Sequence, residues 1–547
     1  MHPTDARFRF ERLLARRADR RRLVIGGSAA LTATSLFGRP TRVLGQATPE
    51  ASPAATRGGA FPFFTLGVAS GDPTPDGVVL WTRLAPSPLG GGGMDPIPYE
   101  VRWEVANDDA FADVVQSGRA VASPLLAHSV HLDVTGLEPA REYFYRFMLG
   151  DEVSATGRTK TAPAMGAEVD RLRFGFASCS MWEHGWFTAY RDMARQGFDL
   201  ILHLGDYIYE YEPNGYDVRD EGPLREHTGA DDATGETDSL AEYRNRFAQY
   251  RTDADLQAAH ASAPWVVTWD DHETENDYAG AISENADPVS AFLARRAAAY
   301  QAYYEHMPLR PASMPQGPDM QLYRRLPYGN LAEFVVLDTR QYRDDQPCGD
   351  GVNVRCPAAL DPDTTLLGPE QERWLLQTLD ASPARWNVLA QQVMMAELEQ
   401  AEGPEEAYWG DSWSAYPMAR NRILAHLMSR GIANPVVITG DIHTAWANDL
   451  LADWADTSAA PIGTEYICTS ITAGGAEPAT FFEAYLPDHP FIRYFNPNHG
   501  GYTAVDLTPD LWRTDFHQVE SLLDPDSAVP VVASYATEAG RPGAQPA

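Results

Sequence analysis

The chain has 547 residues, 44% hydrophobic and 11% aromatic, a balance that builds a large packed core and excludes wholesale disorder. Its 76 Asp and Glu against 43 Lys and Arg give a formal charge of −33, which excludes a stable nucleic-acid complex, because a phosphate backbone is held by basic side chains. Four cysteines cannot form a disulfide scaffold over this length, and the single lysine, Lys160, sets aside Schiff-base chemistry and a P-loop.

The N-terminus runs against the overall charge. Residues 1–45 hold ten Arg and three acids, and Asp19-Arg20-Arg21-Arg22 stands directly before a weakly apolar run from Ile25 to Phe37. That run is too short, and too rich in small and hydroxylated residues, for a bilayer span. The order predicts a secretory signal over residues 1–46, with paired arginines of the twin-arginine type. A Pro, Ala and Thr-rich linker occupies 47–60. The expected partner is the twin-arginine translocation machinery, and the expected location is secreted, periplasmic or cell-envelope. No later stretch offers the roughly 20 continuous apolar residues of a transmembrane helix.

Over residues 61–163, short β-rich runs (Val78–Arg83, Tyr99–Ala106, His128–Val134, Glu142–Leu149) are separated by Gly, Pro and Asp clusters. Regular short strands with turn signals predict a small antiparallel β-sandwich. It carries no chemical constellation, so its expected role is support or substrate access.

Residues 166–530 change texture. Leu172–Ala177, Leu200–Leu204, Trp265–Thr268, Phe334–Leu337, Val388–Ala390 and Val436–Thr439 are nearly continuous apolar runs, of the sort buried on both faces. Helical periods lie between several of them, at Trp186–Gln196, Leu240–Ala259, Ser290–His306, Pro369–Leu379 and Met418–Ser429. The alternation predicts an α/β fold, a layered α/β/α domain preceded by the sandwich. Residues 531–547, rich in Ala, Gly and Pro, are expected to be a disordered tail.

The chemistry is concentrated at the strand ends. Ser178-Cys179-Ser180 comes after the first strand and Gly205-Asp206-Tyr207-Ile208-Tyr209-Glu210 after the second. Asp270-Asp271-His272-Glu273, with Asn276 behind, comes after the third, and Gly440-Asp441-Ile442-His443 after the last. Ligands of open α/β sheets bind at the carboxyl ends of strands, so distant segments can converge on one rim. Taken singly, Asp206 can merely end a strand, and a charged run such as 270–273 is usually a solvated turn. Asp441 and His443, two apart in an extended segment, share a face and can serve one ion. Together the clusters point to a metal centre.

Cys348 and Cys356 bracket a short Gly, Asp and Asn loop and are expected to pair in an oxidising compartment. Cys468 reads as part of a core strand. Cys179 is then left unpaired at the rim, where a thiolate ligand is its most economical use. Neither Ser178 nor Cys179 occupies a Gly-x-Ser-x-Gly elbow, so no serine or cysteine hydrolase pattern competes.

These residues resemble the PhoD family of alkaline phosphatases and phosphodiesterases. The motifs are Ala177-Ser178-Cys179, Gly205-Asp206-x-x-Tyr209, Trp269-Asp270-Asp271-His272-Glu273 and Gly440-Asp441-x-His443, supported by Leu337 to Arg343 and Gln391-Gln392. Leu66 to Pro73 and Val79 to Arg83 resemble that family's N-terminal β domain, and the resemblance extends from about residue 61 to 530. It also reaches the purple acid phosphatases, although their usual first-motif Asp stands here as Cys179.

The resemblance implies one Fe(3+) and two Ca(2+), the iron held by Cys179, Asp206, Tyr209 and His443. Asp206 and Asp441 would bridge to calcium, which takes oxygen ligands, and either Asp271 or Asn276 would add another oxygen. His272, with Asp271, would be catalytic, donating a proton to the leaving oxygen or steadying the phosphoryl group. The implied reaction is hydrolysis of a phosphate ester by in-line attack of a metal-activated hydroxide. Substrates of that class run from small monoesters to lipid, teichoic or nucleotide diesters. Arg340 and Arg343 are expected to pair with local carboxylates rather than with phosphate. The competing readings are a phospholipase D-like diesterase on the same core and a non-catalytic calcium-dependent binding protein.

Overall fold

The computed structural model describes residues 62–216, 223–227, 235–401, 405–474 and 481–547. The expected signal peptide at 1–46 and linker at 47–60 lie outside them. Seven parallel strands organise the rest: β1 (Leu172–Ala177), β2 (Leu200–Leu204), β3 (Pro264–Thr268), β4 (Ala332–Val336), β5 (Trp386–Ala390), β6 (Pro435–Thr439) and β7 (Gly463–Ile467). The helices are α1 (Thr188–Arg195), α2 (Leu240–Arg251), α3 (Ala254–Ser262), α4 (Val289–His306), α5 (Gly368–Ala381) and α6 (Pro417–Arg430).

Two sheets carry the parallel strands. In the first, β1, β2 and β3 are mutually parallel and flanked by Gly501–Leu507 on one side and Val68–Thr74 on the other. In the second, β4, β5, β6 and β7 are parallel in that order. Period-two alternation decides which face meets what. In β2, Leu200, Leu202 and Leu204 join the core between the sheets, together with Phe174 and Phe176 of β1, Val388 of β5 and Ile438 of β6. Ile201, Trp265 and Val267 face the other way, onto Tyr190, Phe247 and Tyr303 of α1, α2 and α4. In the second sheet Leu389 and Val437 face outward, onto Leu375 of α5 and Ile423 of α6. Each such apolar side chain contributes about 1.5–3 kcal/mol by leaving water.

The layered α/β expectation therefore holds, with a β layer two sheets thick. Continuous apolar runs look the same whether their second face meets helices or another sheet. The antiparallel N-terminal strands are also present, but Val68–Thr74, Gly77–Arg83 and Ser129–Thr135 extend the first sheet itself. Parallel pairing of Ser70 with Pro264 and of Gly71 with Trp265 makes the join. Tyr99–Ala106, Val114–Ala122, Glu142–Leu149 and two shorter strands form a separate antiparallel sheet. Val101, Val105, Tyr145 and Phe147 pack it on Val78 and Leu80.

Two expectations are corrected. The helix expected over 240–259 is two helices, because the Asp253 carboxylate accepts from the backbone N–H groups of Asp255 and Leu256 and starts α3 anew. The expected disordered tail is an ordered hairpin, Val531–Glu538 with Arg541–Pro546, at the edge of the first sheet. Tyr466 and Thr537 hydroxyls meet at 2.9 Å, and Ala544 N donates to Asp449 Oδ1 at 2.9 Å, tying that hairpin to the second sheet. Its Ala, Gly and Pro content concealed these long-range bonds, which no local propensity reports. Cys348 and Cys356 form the disulfide expected of them.

Candidate metal centre

The ends of β1, β2 and β3 meet the end of β6 at one place. Cys179 N donates to Gly205 O at 3.1 Å and Ser180 N to Asp206 O at 2.9 Å, so the loops after β1 and β2 run side by side. Gly440, after β6, lies against Ser178: a Cβ there would be 2.6 Å from the Ser178 Cβ. A larger residue would push the two sheets apart at this point. Gly205, at φ +112°, could hold no Cβ either, since it would fall 2.5 Å from that of Asp270.

Cys179, Asp206, Asp441 and His443 all have left-handed backbone, with φ of 63°, 53°, 63° and 61°. Such conformations cost free energy in residues other than glycine and persist where surrounding bonds over-determine them. Glu273 is one such determinant. Its buried carboxylate accepts from the N–H groups of Asp206 at 3.1 Å, Tyr207 at 2.6 Å and Asp270 at 2.8 Å, bolting the β2 and β3 ends together. Gln392, after β5, donates to Thr268 Oγ1 at 2.9 Å and accepts from Thr339 Oγ1 at 2.6 Å, which joins β3 to β4 across the two sheets.

The donors form three groups that share members. Cys179, Asp206 and His443 offer ligand atoms within 4.8 Å of one another, as do Asp206, Asp271 and His272, and again Asp271, Asp277 and Asp411. The Tyr209 hydroxyl sits beside the first group, 3.2 Å from Asp206 Oδ2 and 3.0 Å from His443 Nε2. Asp206 Oδ1 is buried and has no hydrogen-bond partner among the described residues. Asp441 stands outside the three groups; burial, then the Asp270, Asp411 and Asp271 carboxylates, hold it well above the usual carboxylate range. The Asn276 side-chain oxygen accepts from the Tyr211 hydroxyl at 2.9 Å, whereas Asp271 belongs to two of the groups.

Electrostatics say what this arrangement lacks. Burial, then the neighbouring carboxylates, drives Asp206 well above the usual carboxylate range against the pull of His272. Burial and Asp206 do the same to the Cys179 thiol and the Tyr209 phenol, each held well above its ordinary value. Burial, with His499, His272 and His184 nearby, lowers His443 to about 3 and leaves its imidazole neutral. Acids this buried, this close and this poor in cationic partners fit bound cations: positive charge is the missing component, and thiol, phenol, imidazole and carboxylate are all competent ligands.

His272 differs. Burial opposes its charge, but Glu210, Asp271 and Asp206 outweigh burial and hold it well above the ordinary histidine range. Its Nδ1 lies 2.8 Å from Glu210 Oε2. Asp271 shows the reverse balance: burial raises it, but Arg340 and His272 pull it down to about 2. Arg340 is fully buried and pairs with Asp270, with both Asp411 oxygens at 2.8 and 2.6 Å, and with Asp271 at 3.6 Å. Arg343 donates to Asp411 at 2.7 Å. Both arginines are thus engaged by carboxylates, as their sequence setting suggested. Together with the Gln346 amide they hold Asp411 in place.

Sequence reading did not assign Glu210, Glu273, Asp277 or Asp411. Glu210 lay inside a quoted motif and Glu273 ended another, so both were within reach. Asp411 sits between Gly410 and Ser412 in a loop with no periodic signal.

Residues 174–516 match the family described as PhoD-like phosphatase, and residues 50–163 match its N-terminal domain. The chain is 51% identical over 482 residues to alkaline phosphatase D of Bacillus subtilis (strain 168), covering 88% of this chain and 82% of that protein. A solved structure of PhoD superposes with a TM-score of 0.86 at 49% identity, over 90% of this chain and 93% of that one. A purple acid phosphatase from yellow lupin seeds, Lupinus luteus, shares the fold at a TM-score of 0.51 and 12% identity, over 86% of this chain and 73% of its own.

Proposed function

Since the chain belongs to the PhoD-like phosphatase family and is a metal-dependent hydrolase of phosphate esters, we propose that its centre holds one ferric ion with calcium. Cys179, Asp206, Tyr209 and His443 would bind the iron. A thiolate and a phenolate together suit a trivalent cation, whereas structural zinc more often draws several Cys and His ligands. Asp206, Asp271 and Asp441 would give calcium its oxygen ligands, with Asn276 as the further candidate. The observation that carries this reading is the Tyr209 hydroxyl, 3.2 Å from Asp206 and 3.0 Å from His443, beside the Cys179 group.

Bound metals supply positive charge against the phosphoryl oxygens and activate water as the nucleophile. The chain's own residues do the remaining work. Glu210 accepts from Nδ1 of His272, which leaves the Nε2 proton for the leaving oxygen. Glu210 and then Asp271 hold His272 well above the ordinary histidine range, which favours the protonated, proton-donating form. Arg340 holds Asp270 and Asp411 fixed.

Export by the twin-arginine route, to the cell envelope or beyond, is the reading of residues 1–46. Among the described residues no helix is long and apolar enough to cross a membrane. The deciding experiment compares hydrolysis of an aryl phosphate monoester and its diester, with and without chelator. Chelator-sensitive turnover of either is expected, and their ratio places the enzyme between phosphatase and diesterase. Turnover unaffected by the chelator would contradict the metal assignment.

A further inference from the structure

Tyr190 of α1 is fully buried in an apolar cluster, and its hydroxyl is engaged on two sides. It lies 2.9 Å from Nε2 of His203, on β2, and donates to Oγ of Ser180, after β1, at 3.2 Å. Ser180 Oγ in turn donates to the backbone carbonyl of Tyr207 at 3.0 Å. His203 is buried as well, with the rings of Tyr207 and Trp265 centred 5.2 and 6.0 Å from its own, and its Nδ1 has no hydrogen-bond partner among the described residues.

These bonds have one direction that satisfies every donor. Burial lowers His203 to about 3, so its imidazole is neutral and carries a single proton. With that proton on Nε2, His203 donates to Tyr190, Tyr190 to Ser180 and Ser180 to the Tyr207 carbonyl, and only the Nδ1 lone pair is unmatched. With the proton on Nδ1, a buried N–H has no acceptor. The chain must then run backwards, which also withdraws the Ser180 proton from the Tyr207 carbonyl. Two orphaned groups cost more than one, so the network fixes the Nε2–H tautomer.

The chain links the two loops that carry candidate iron ligands. Ser180 follows Cys179, and His203 stands three positions before Asp206. Cys179 and Asp206 have left-handed backbone, at φ of 63° and 53°, which their surroundings must impose. Glu273 fixes the Asp206 loop from the side of β3. From the side of α1, Tyr190 reaches the Cys179 loop through Ser180.

We propose that His203, Tyr190 and Ser180 form a positioning relay that sets the Cys179 loop against the Asp206 loop, and with it the spacing of sulfur and carboxylate around the iron. The relay rests on the iron reading given above. Each link of a one-way chain polarises the next, which strengthens the whole. The three side chains act through the ligands' backbone, as supporting residues around a metal site do.

Tyr190→Phe keeps the ring and deletes both bonds of the hydroxyl. In the iron-loaded holoenzyme the expected result is a shifted maximum of the visible absorption band, with iron affinity about 10–100-fold weaker in competition with a chelator. Tyr466→Phe is the control. Its hydroxyl meets that of Thr537 at 2.9 Å, away from the relay, so this variant should lower the unfolding midpoint and leave band and iron affinity as they were. A band and an iron affinity unchanged in Tyr190→Phe would overturn the relay and leave the iron centre standing. Unaltered protein purified without iron would instead overturn the centre, and the relay's role with it. Should Tyr190→Phe fail to fold, Ser180→Ala breaks the same chain with a smaller loss of packing, and the same readouts decide.

Discussion

The phenol oxygen of Tyr209 lies 3.0 Å from Nε2 of His443, although 234 residues separate them and they come after strands of different sheets. A hydrogen bond alone is a weak reason to bring these two groups beside a buried thiol. If both bind iron, Tyr209→Phe removes a phenolate-to-iron transition. The expected outcome is loss of the visible absorption band of the purified protein. A band that persists would take Tyr209 out of the ligand set.

His272→Ala should lower kcat by about 10²–10⁴-fold, the usual contribution of a positioned acid, with metal content unchanged by elemental analysis. Unaltered turnover would dismiss the acid role.

Glu210→Gln tests the same residue through pH. The Glu210 carboxylate, at 2.8 Å, is the largest of the influences that raise His272. Histidine serves as an acid only below its pKa, so activity falls as pH rises through that value. Lowering the pKa moves the fall to lower pH. The alkaline limb of the kcat profile should therefore shift toward neutrality, while an unmoved limb would assign it to another group.

Arg340→Met should reduce stability by about 3–5 kcal/mol, because it leaves Asp270 buried without its cationic partner, while Arg343 still holds Asp411. The shift in denaturant midpoint measures it. Arg171, in an exposed pair with Asp506, is the control and should change little.

The Cys348–Cys356 bridge closes a short loop whose Val352–Val354 strand pairs with Ala407–Trp409. Opening it with a dithiol reductant should cost about 2–3 kcal/mol on chain-entropy grounds, read as a lower unfolding midpoint. Equal midpoints with and without reductant would show the loop to be rigid without the bridge.

How much of the fold and the centre was legible in the chain depends on how local the signal was. The apolar runs at Leu200–Leu204 and Val436–Thr439 announced buried strands, and Gly205-Asp206, Asp271-His272 and Asp441-x-His443 announced the chemistry at their ends. The doubling of the sheet was not legible, because Leu202 has the same pattern whether Phe334 or a helix lies beyond it. Nor was the ordered hairpin at 531–546, held by Thr537 and Ala544 against residues some 70 to 95 positions earlier. Asp411 gained meaning only once Arg340 and Arg343 converged on it. Long-range partners were the missing information in each case.

If the ends of β1, β2, β3 and β6 enclose one centre of iron and calcium, elemental analysis of the purified holoenzyme finds both metals. Iron at about one equivalent together with calcium is the predicted result, and protein containing zinc alone, without iron, would contradict it.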